Sequence, residues 1–236
     1  MNKYIITALL FLLPTYAVSS QTLALDNYEE KIETHNNQVI TTIKFSGKSN
    51  QDGYIYSPVY RNVSIEQISN YSVAPRLEKI NGLDVYGWYV KQPNEQTTLG
   101  FSFTRPEGDY TKKTKLKHSH PSGVKSFNYN FVNSAPMIIE RYQLTYKVPH
   151  QRELYKVITP SFSTKKASYT LNEAGPEQEI TITKSNIALN QAIKAEIALY
   201  ESTAFSKFVV CGLLLLIALF FALKRMNVVV SKECTQ

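Results

Sequence analysis

The chain has 236 residues, with 26 Lys and Arg against 19 Asp and Glu and a formal net charge of +7. That basicity is unevenly placed: residues Gln21 to Ser206 hold 21 basic and 18 acidic side chains, a net of +3, so the composition gives nucleic-acid binding no support. Both cysteines, Cys211 and Cys234, lie outside this stretch, which excludes thiol catalysis and disulfides within it and leaves a hydrophobic core to hold it together.

At the N-terminus, Lys3 precedes an apolar run from Tyr4 to Leu13, then Pro14 and the small residues Ala17, Ser19 and Ser20. This is the order of a secretory signal peptide over 1–20, with cleavage at Ser19 or Ser20. The run is too short for a membrane anchor, which needs about 20 apolar residues.

Turn clusters then recur about every ten residues among segments rich in Tyr, Phe, Thr, Val and Ile. This predicts an all-β fold: an extracytoplasmic antiparallel β-sandwich, one large or two small, Ig-like in general character. A first hairpin is expected from Tyr28–Thr34 and Val39–Phe45, because Asn36-Asn37 tolerates the left-handed backbone of a tight turn. Tyr54 to Ile68 reads as one or two short strands interrupted by Pro58. Asn81-Gly82 between two apolar runs marks a second hairpin, 76–80 with 83–90. Both faces of 83–90 are apolar, so that strand is expected in the middle of its sheet. In 97–104, Leu99, Phe101 and Phe103 alternate with polar or small residues, as in a half-buried strand. These strands make a first β-sheet region, 21–104.

From Arg105 to Lys125 the alternation disappears and Pro106, Gly108, Pro121 and Gly123 occur, which predicts a basic loop or linker. A second β-sheet region, 126–203, follows. It contains Phe127, Tyr129 and Phe131, a long alternating run at 137–148, and shorter runs at 153–159, 168–171 and 179–183. Glu140 shares a face with Ile138 and Tyr142 and so stands as an acidic residue out of register in an apolar strand. Residues 186–201 fit both period two and period 3.6; the need for a closing strand favours β.

Residues 204–224 read as a transmembrane helix whose apolar core is Phe208 to Leu223. At about 1.5 Å per residue this core covers roughly 24 Å, and the flanking Lys207, Lys224 and Arg225 can snorkel to make up a hydrocarbon thickness of about 30 Å. The charge bias places the tail, 225–236, in the cytoplasm. The exported side is then the periplasm or cell surface in a bacterium, or the ER lumen or cell surface in a eukaryote. The missing disulfides tilt toward a bacterial envelope, whereas the sequons at Asn62 and Asn70 decide nothing by themselves.

No nucleophile elbow, phosphate loop, zinc helix or dinucleotide fingerprint occurs, so no catalytic residue and no cofactor is assigned and the chain is not expected to be an enzyme. The candidate binding loop is Lys112, Lys113, Lys115, Lys117, His118, His120 and Lys125. Its charge suits an anionic lipid or glycan. Its two histidines fall short of the three or four ligands a metal needs. Tyr86, Trp88, Tyr89, Phe101 and Phe103 suit either a core or a groove. The expected function is a non-catalytic, membrane-anchored, extracytoplasmic β-sandwich protein that binds a partner, as an accessory subunit of an envelope membrane complex or as an adhesion-type module. Its partners are the bilayer and another membrane or envelope protein. One alternative is a binder of anionic lipid or glycan through the Lys112–Lys125 loop; another is a hydrolase or metal-binding protein using His118 and His120.

Overall fold

The computed structural model describes residues 23–69, 74–113, 124–160, 169–173, 177–201 and 209–221. The predicted signal peptide, Asn70 and the cytoplasmic tail lie outside these residues. Strands dominate, as the sequence predicts. β1 (Ala24–His35) and β2 (Gln38–Lys48) form the first hairpin, with Asn36 at φ 49° and Asn37 at φ 61°. The positive φ at both central residues matches the right-handed twist of the strands they join. β3 (Tyr54–Pro58) ends at its proline, which has no amide to continue a ladder. After the short β4 (Gln67–Ser69), the second predicted hairpin joins β5 (Arg76–Ile80) to β6 (Leu83–Tyr89) through Asn81 and Gly82, at φ 52° and 80°. β6 is central in a three-stranded sheet ordered β3-β6-β5, where its two apolar faces place it.

A seven-stranded sheet forms the floor of the molecule. β7 (Gln96–Pro106) runs antiparallel to β2 along its whole length, and β4 caps the edge beyond it. On the other side β1 pairs in parallel with β10 (Ile138–Lys147), which leads to β13 (Glu179–Ile187) and the short edge strand β12 (Thr170–Asn172). β1 therefore joins strands from both halves of the chain into a single sheet, so the regions before and after residue 105 are not separate sandwiches. A parallel pair cannot be closed by a short turn, and here more than a hundred residues lie between the partners, leaving no local signal to read.

One face of this floor carries Tyr28, Ile43, Phe45, Phe101, Phe103, Tyr142 and Tyr146, all buried. Two smaller sheets cover it. Trp88 of β6 stacks on Phe101 at 5.1 Å, and its Nε1 donates to Ser57 Oγ at 2.9 Å. Beside it lies a four-stranded sheet ordered β11-β14-β9-β8, from β8 (Thr111–Lys113), β9 (Lys125–Val132), β11 (Arg152–Thr159) and β14 (Ala192–Glu201). Phe127 and Phe131 of β9 stack on Tyr146 and Tyr142 at 4.3 and 4.7 Å. The close aromatic pairs add to the area they bury and make up for the missing disulfides.

Of the stretch from Arg105 to Lys125, the described residues 105–113, 124 and 125 hold more regular structure than the composition suggests, and the others lie outside the described residues. β7 extends to Pro106, a single 3-10 turn follows at Glu107–Asp109, and β8 pairs with β9. Tyr110, 6% exposed, anchors this passage by stacking on Phe127 at 5.4 Å. Among the described residues β8 pairs on one side only and needs no apolar alternation, which explains why the pattern fades. Residues 186–201 are β throughout except for a turn after Ile187, where Asn190 takes φ 64°. Glu140 is exposed rather than anomalous: burial passes from Ile139 directly to Tyr142, so both Glu140 and Arg141 face outward. A helix occupies 209–221; among the described residues no helix is long and apolar enough to cross a membrane.

Candidate functional site

The residue that breaks the pattern lies in β1. Tyr28, Glu30 and Ile32 face the core, while Glu29 and Lys31 face water, so the period of two that builds the strand also drives a carboxylate inside. Glu30 is 1% exposed, and three phenols hold it. Tyr60 donates to Oε1, and Tyr129 and Tyr142 donate to Oε2, the former at 2.8 Å. Tyr28 and Tyr60 share a further hydrogen bond at 3.0 Å. Burial raises the Glu30 carboxyl to about 7, and the three phenolic hydrogen bonds, which favour the anion, hold the rise in check. Burial, followed by the charge of Glu30, pushes Tyr60, Tyr129 and Tyr142 well above the usual phenol range, so they remain donors.

Tyr60 connects this cluster to the surface. Its ring packs on Phe103 at 5.0 Å, its carbonyl accepts from Tyr86, and it lines a cleft of about 890 Å³. The cleft follows the seam where the three-stranded and four-stranded sheets meet above the floor. One wall carries Leu77, Leu83 and Asp84 of the β5–β6 hairpin; the other carries Asn130 to Val132 at the end of β9. Arg61 and Arg105 contribute positive charge, with Arg105 donating to the Arg61 carbonyl and resting over the Phe103 ring. The exposed side chain of Asn62, with φ 58°, also lines the cleft, so the first sequon sits at its rim. The arrangement offers polar and apolar surface side by side, suited to binding an elongated ligand.

The predicted binding loop is divided. Lys112 and Lys113 belong to β8, where Lys113 pairs with Lys125 of β9 and Lys112 is exposed. Lys115, Lys117, His118 and His120 lie outside the described residues. Neither Lys112 nor Lys125 lines the cleft. Of the aromatic group, Trp88, Phe101 and Phe103 are core, Tyr89 is 45% exposed, and Tyr86 alone reaches the cleft. His35 and His150, distant in sequence, come to line one hollow of about 250 Å³ with Glu33 and Lys147. Among the described residues no group of three His, Cys, Asp or Glu side chains is placed to hold a metal ion. Glu30 and Tyr60 escaped the sequence reading. The signal for Glu30 was the alternation of β1; Tyr60 follows the proline that ends β3 and carried none.

Fold and site together define an all-β protein with a seam cleft above a buried, tyrosine-held carboxylate. The chain matches no protein-family model and no curated protein. Among solved structures it is similar to the M1 zinc metallopeptidase of Deinococcus radiodurans, at 10% identity and a TM-score of 0.39 over 76% of this chain and 42% of that one. A mutant of that enzyme bound to a Tyr-Ser-Ala substrate gives the same values over 43% of its chain. The present chain thus spans less than half the length of these structures.

Proposed function

We propose that this is a non-catalytic binding protein, tethered to a membrane by its C-terminal helix, which presents the β-sandwich on the extracytoplasmic side to a partner protein of an envelope complex or to an adhesion partner. The observation that carries this reading is the helix at 209–221. Every residue in it except Gly212 is exposed, including Leu214 at 60%, Leu216 at 68% and Phe220 at 65%. A helix apolar on all sides requires an apolar surrounding, and at about 25 cal/mol per Å² of apolar surface the drive to bury it is large. In the sequence the apolar run continues on both sides of these residues, from Phe208 to Leu223. The full-length protein is expected to stay with membranes through alkaline carbonate extraction, whereas a chain ending at Glu201 is released; extraction of the full-length protein would refute the tether. Cross-linking from native membrane, with the helix intact and swapped, then tests whether it travels with a complex.

A second reading is favoured by the exposure of Lys112 and Lys125, which flank a sequence that also carries Lys113, Lys115 and Lys117. Replacing Lys112, Lys113, Lys115, Lys117 and Lys125 by serine is expected to abolish binding of the sandwich to anionic vesicles at low salt, and unchanged binding removes the lipid reading.

A further inference from the structure

Each residue of an antiparallel strand directs its amide and carbonyl to one side, alternating along the chain. In β9, Asn133 exchanges bonds with the turn before β14: its amide donates to Gln191 O at 3.0 Å, and its carbonyl accepts from Asn190 at 2.8 Å. The odd-numbered residues of β9 therefore face β14. The amide of Asn128 points the other way and donates to Tyr110 O at 2.8 Å. Beyond that bond the neighbouring strand is finished, because β8 pairs only with residues 125–127 before the chain turns away through Tyr110. Asn130 and Val132 consequently direct their backbone groups past the end of β8. Among the described residues no strand pairs with them on that side, and both line the seam cleft.

An unpaired strand edge is a template for another strand. Here the template is only a few residues long and faces a cleft whose other walls are the β5–β6 hairpin and the 58–63 segment, so a single extended segment suits it better than the edge of a folded sheet. The side chains beside it indicate what that segment would carry. Leu77 and Val132, 63% and 40% exposed, offer apolar contact, and Arg61 and Arg105 outnumber Asp84. We propose that the seam cleft binds an extended, acidic segment of a partner protein by β-strand addition to the outward edge of β9 at Asn130 and Val132, with Leu77 contacting an apolar side chain and the arginines an acidic one. This rests on the reading of the protein as a partner-binding module and names the surface used.

The test uses the full-length protein in lipid nanodiscs and a displayed library of random peptides. Recovered peptides are expected to be acidic with alternating apolar residues and to protect the Asn130 and Val132 amides from hydrogen exchange. Both amides should exchange rapidly in the free protein, unlike those of Tyr129 and Phe131 in the ladder to β14. Val132→Pro removes an outward amide without breaking that ladder and is expected to weaken binding about tenfold or more, as for one lost hydrogen bond. Val132→Ala keeps the amide and should change affinity less. The proposal is overturned if the free protein already protects both amides, if no acidic peptide is recovered, or if Val132→Pro, still folded, binds as the wild type does. Should native cross-linking find a partner while these peptide experiments fail, the partner docks elsewhere and the general reading survives; failure of the cross-linking alone touches only that general reading.

Discussion

Glu30→Gln is expected to remove most of a fall in stability that the native chain undergoes as pH rises from about 4.5 to about 7. The sign follows from the direction of the shift. Burial raises the folded carboxyl from 4.5 to about 7, so between these values the folded state keeps a proton that the unfolded chain has released. Its contribution is complete below about pH 4.5 and is lost as pH passes through the folded value. The difference corresponds to about 3 kcal/mol. Urea titrations of both chains from pH 4 to pH 8 measure it. The stability difference, native minus variant, should decline across that window and level off above it, which separates Glu30 from every other titrating group. A difference independent of pH would mean that Glu30 does not titrate there. Tyr142→Phe is the companion: with a donor to Oε2 gone, the window should move to higher pH.

Arg152→Ala is expected to cost about 3 kcal/mol, lowering the melting temperature by on the order of 10 °C. Arg152 Nη1 meets Glu107 Oε1 with both side chains largely out of water, at 14% and 8% exposure. The pair ties β11, at one edge of the four-stranded sheet, to the 3-10 turn that carries the chain from β7 to β8. Removing the arginine leaves a buried carboxylate without its cation, and that desolvation accounts for most of the loss. The double variant Arg152→Met with Glu107→Leu replaces both charges by apolar volume and should recover much of the stability. Calorimetry of the two variants decides the matter: if the double variant is no better than Arg152→Ala, the loss comes from packing rather than from the stranded charge.

The features of the fold that were legible in the sequence are those with local causes. Asn36-Asn37 and Asn81-Gly82 stand in the left-handed region where hairpin turns need them, and both hairpins form as read. Leu99, Phe101 and Phe103 are buried as read, but Gly100 and Ser102 between them are buried too, so the middle of β7 is covered on both faces rather than half-buried. Less legible were residues 105–113, where a short edge strand needs no apolar face and a single tyrosine supplies the anchor. The acidic residue singled out, Glu140, lies where the burial pattern changes phase and points outward, whereas Glu30, in a strand of regular phase, points inward.

By itself the sequence determined the all-β class, the position of the tight turns, the absence of disulfides from the sandwich and a C-terminal run of apolar residues. Each is a property of composition, short-range spacing or a residue's own backbone preference. Only the tertiary structure decided that β1 pairs in parallel with β10, uniting two series of strands into one floor. It also decided that two smaller sheets meet above that floor along a seam, and that three phenols from distant segments converge on Glu30 beneath it. Those outcomes depend on which apolar faces bury one another across long stretches of chain, and pairing at that range leaves no trace in local periodicity.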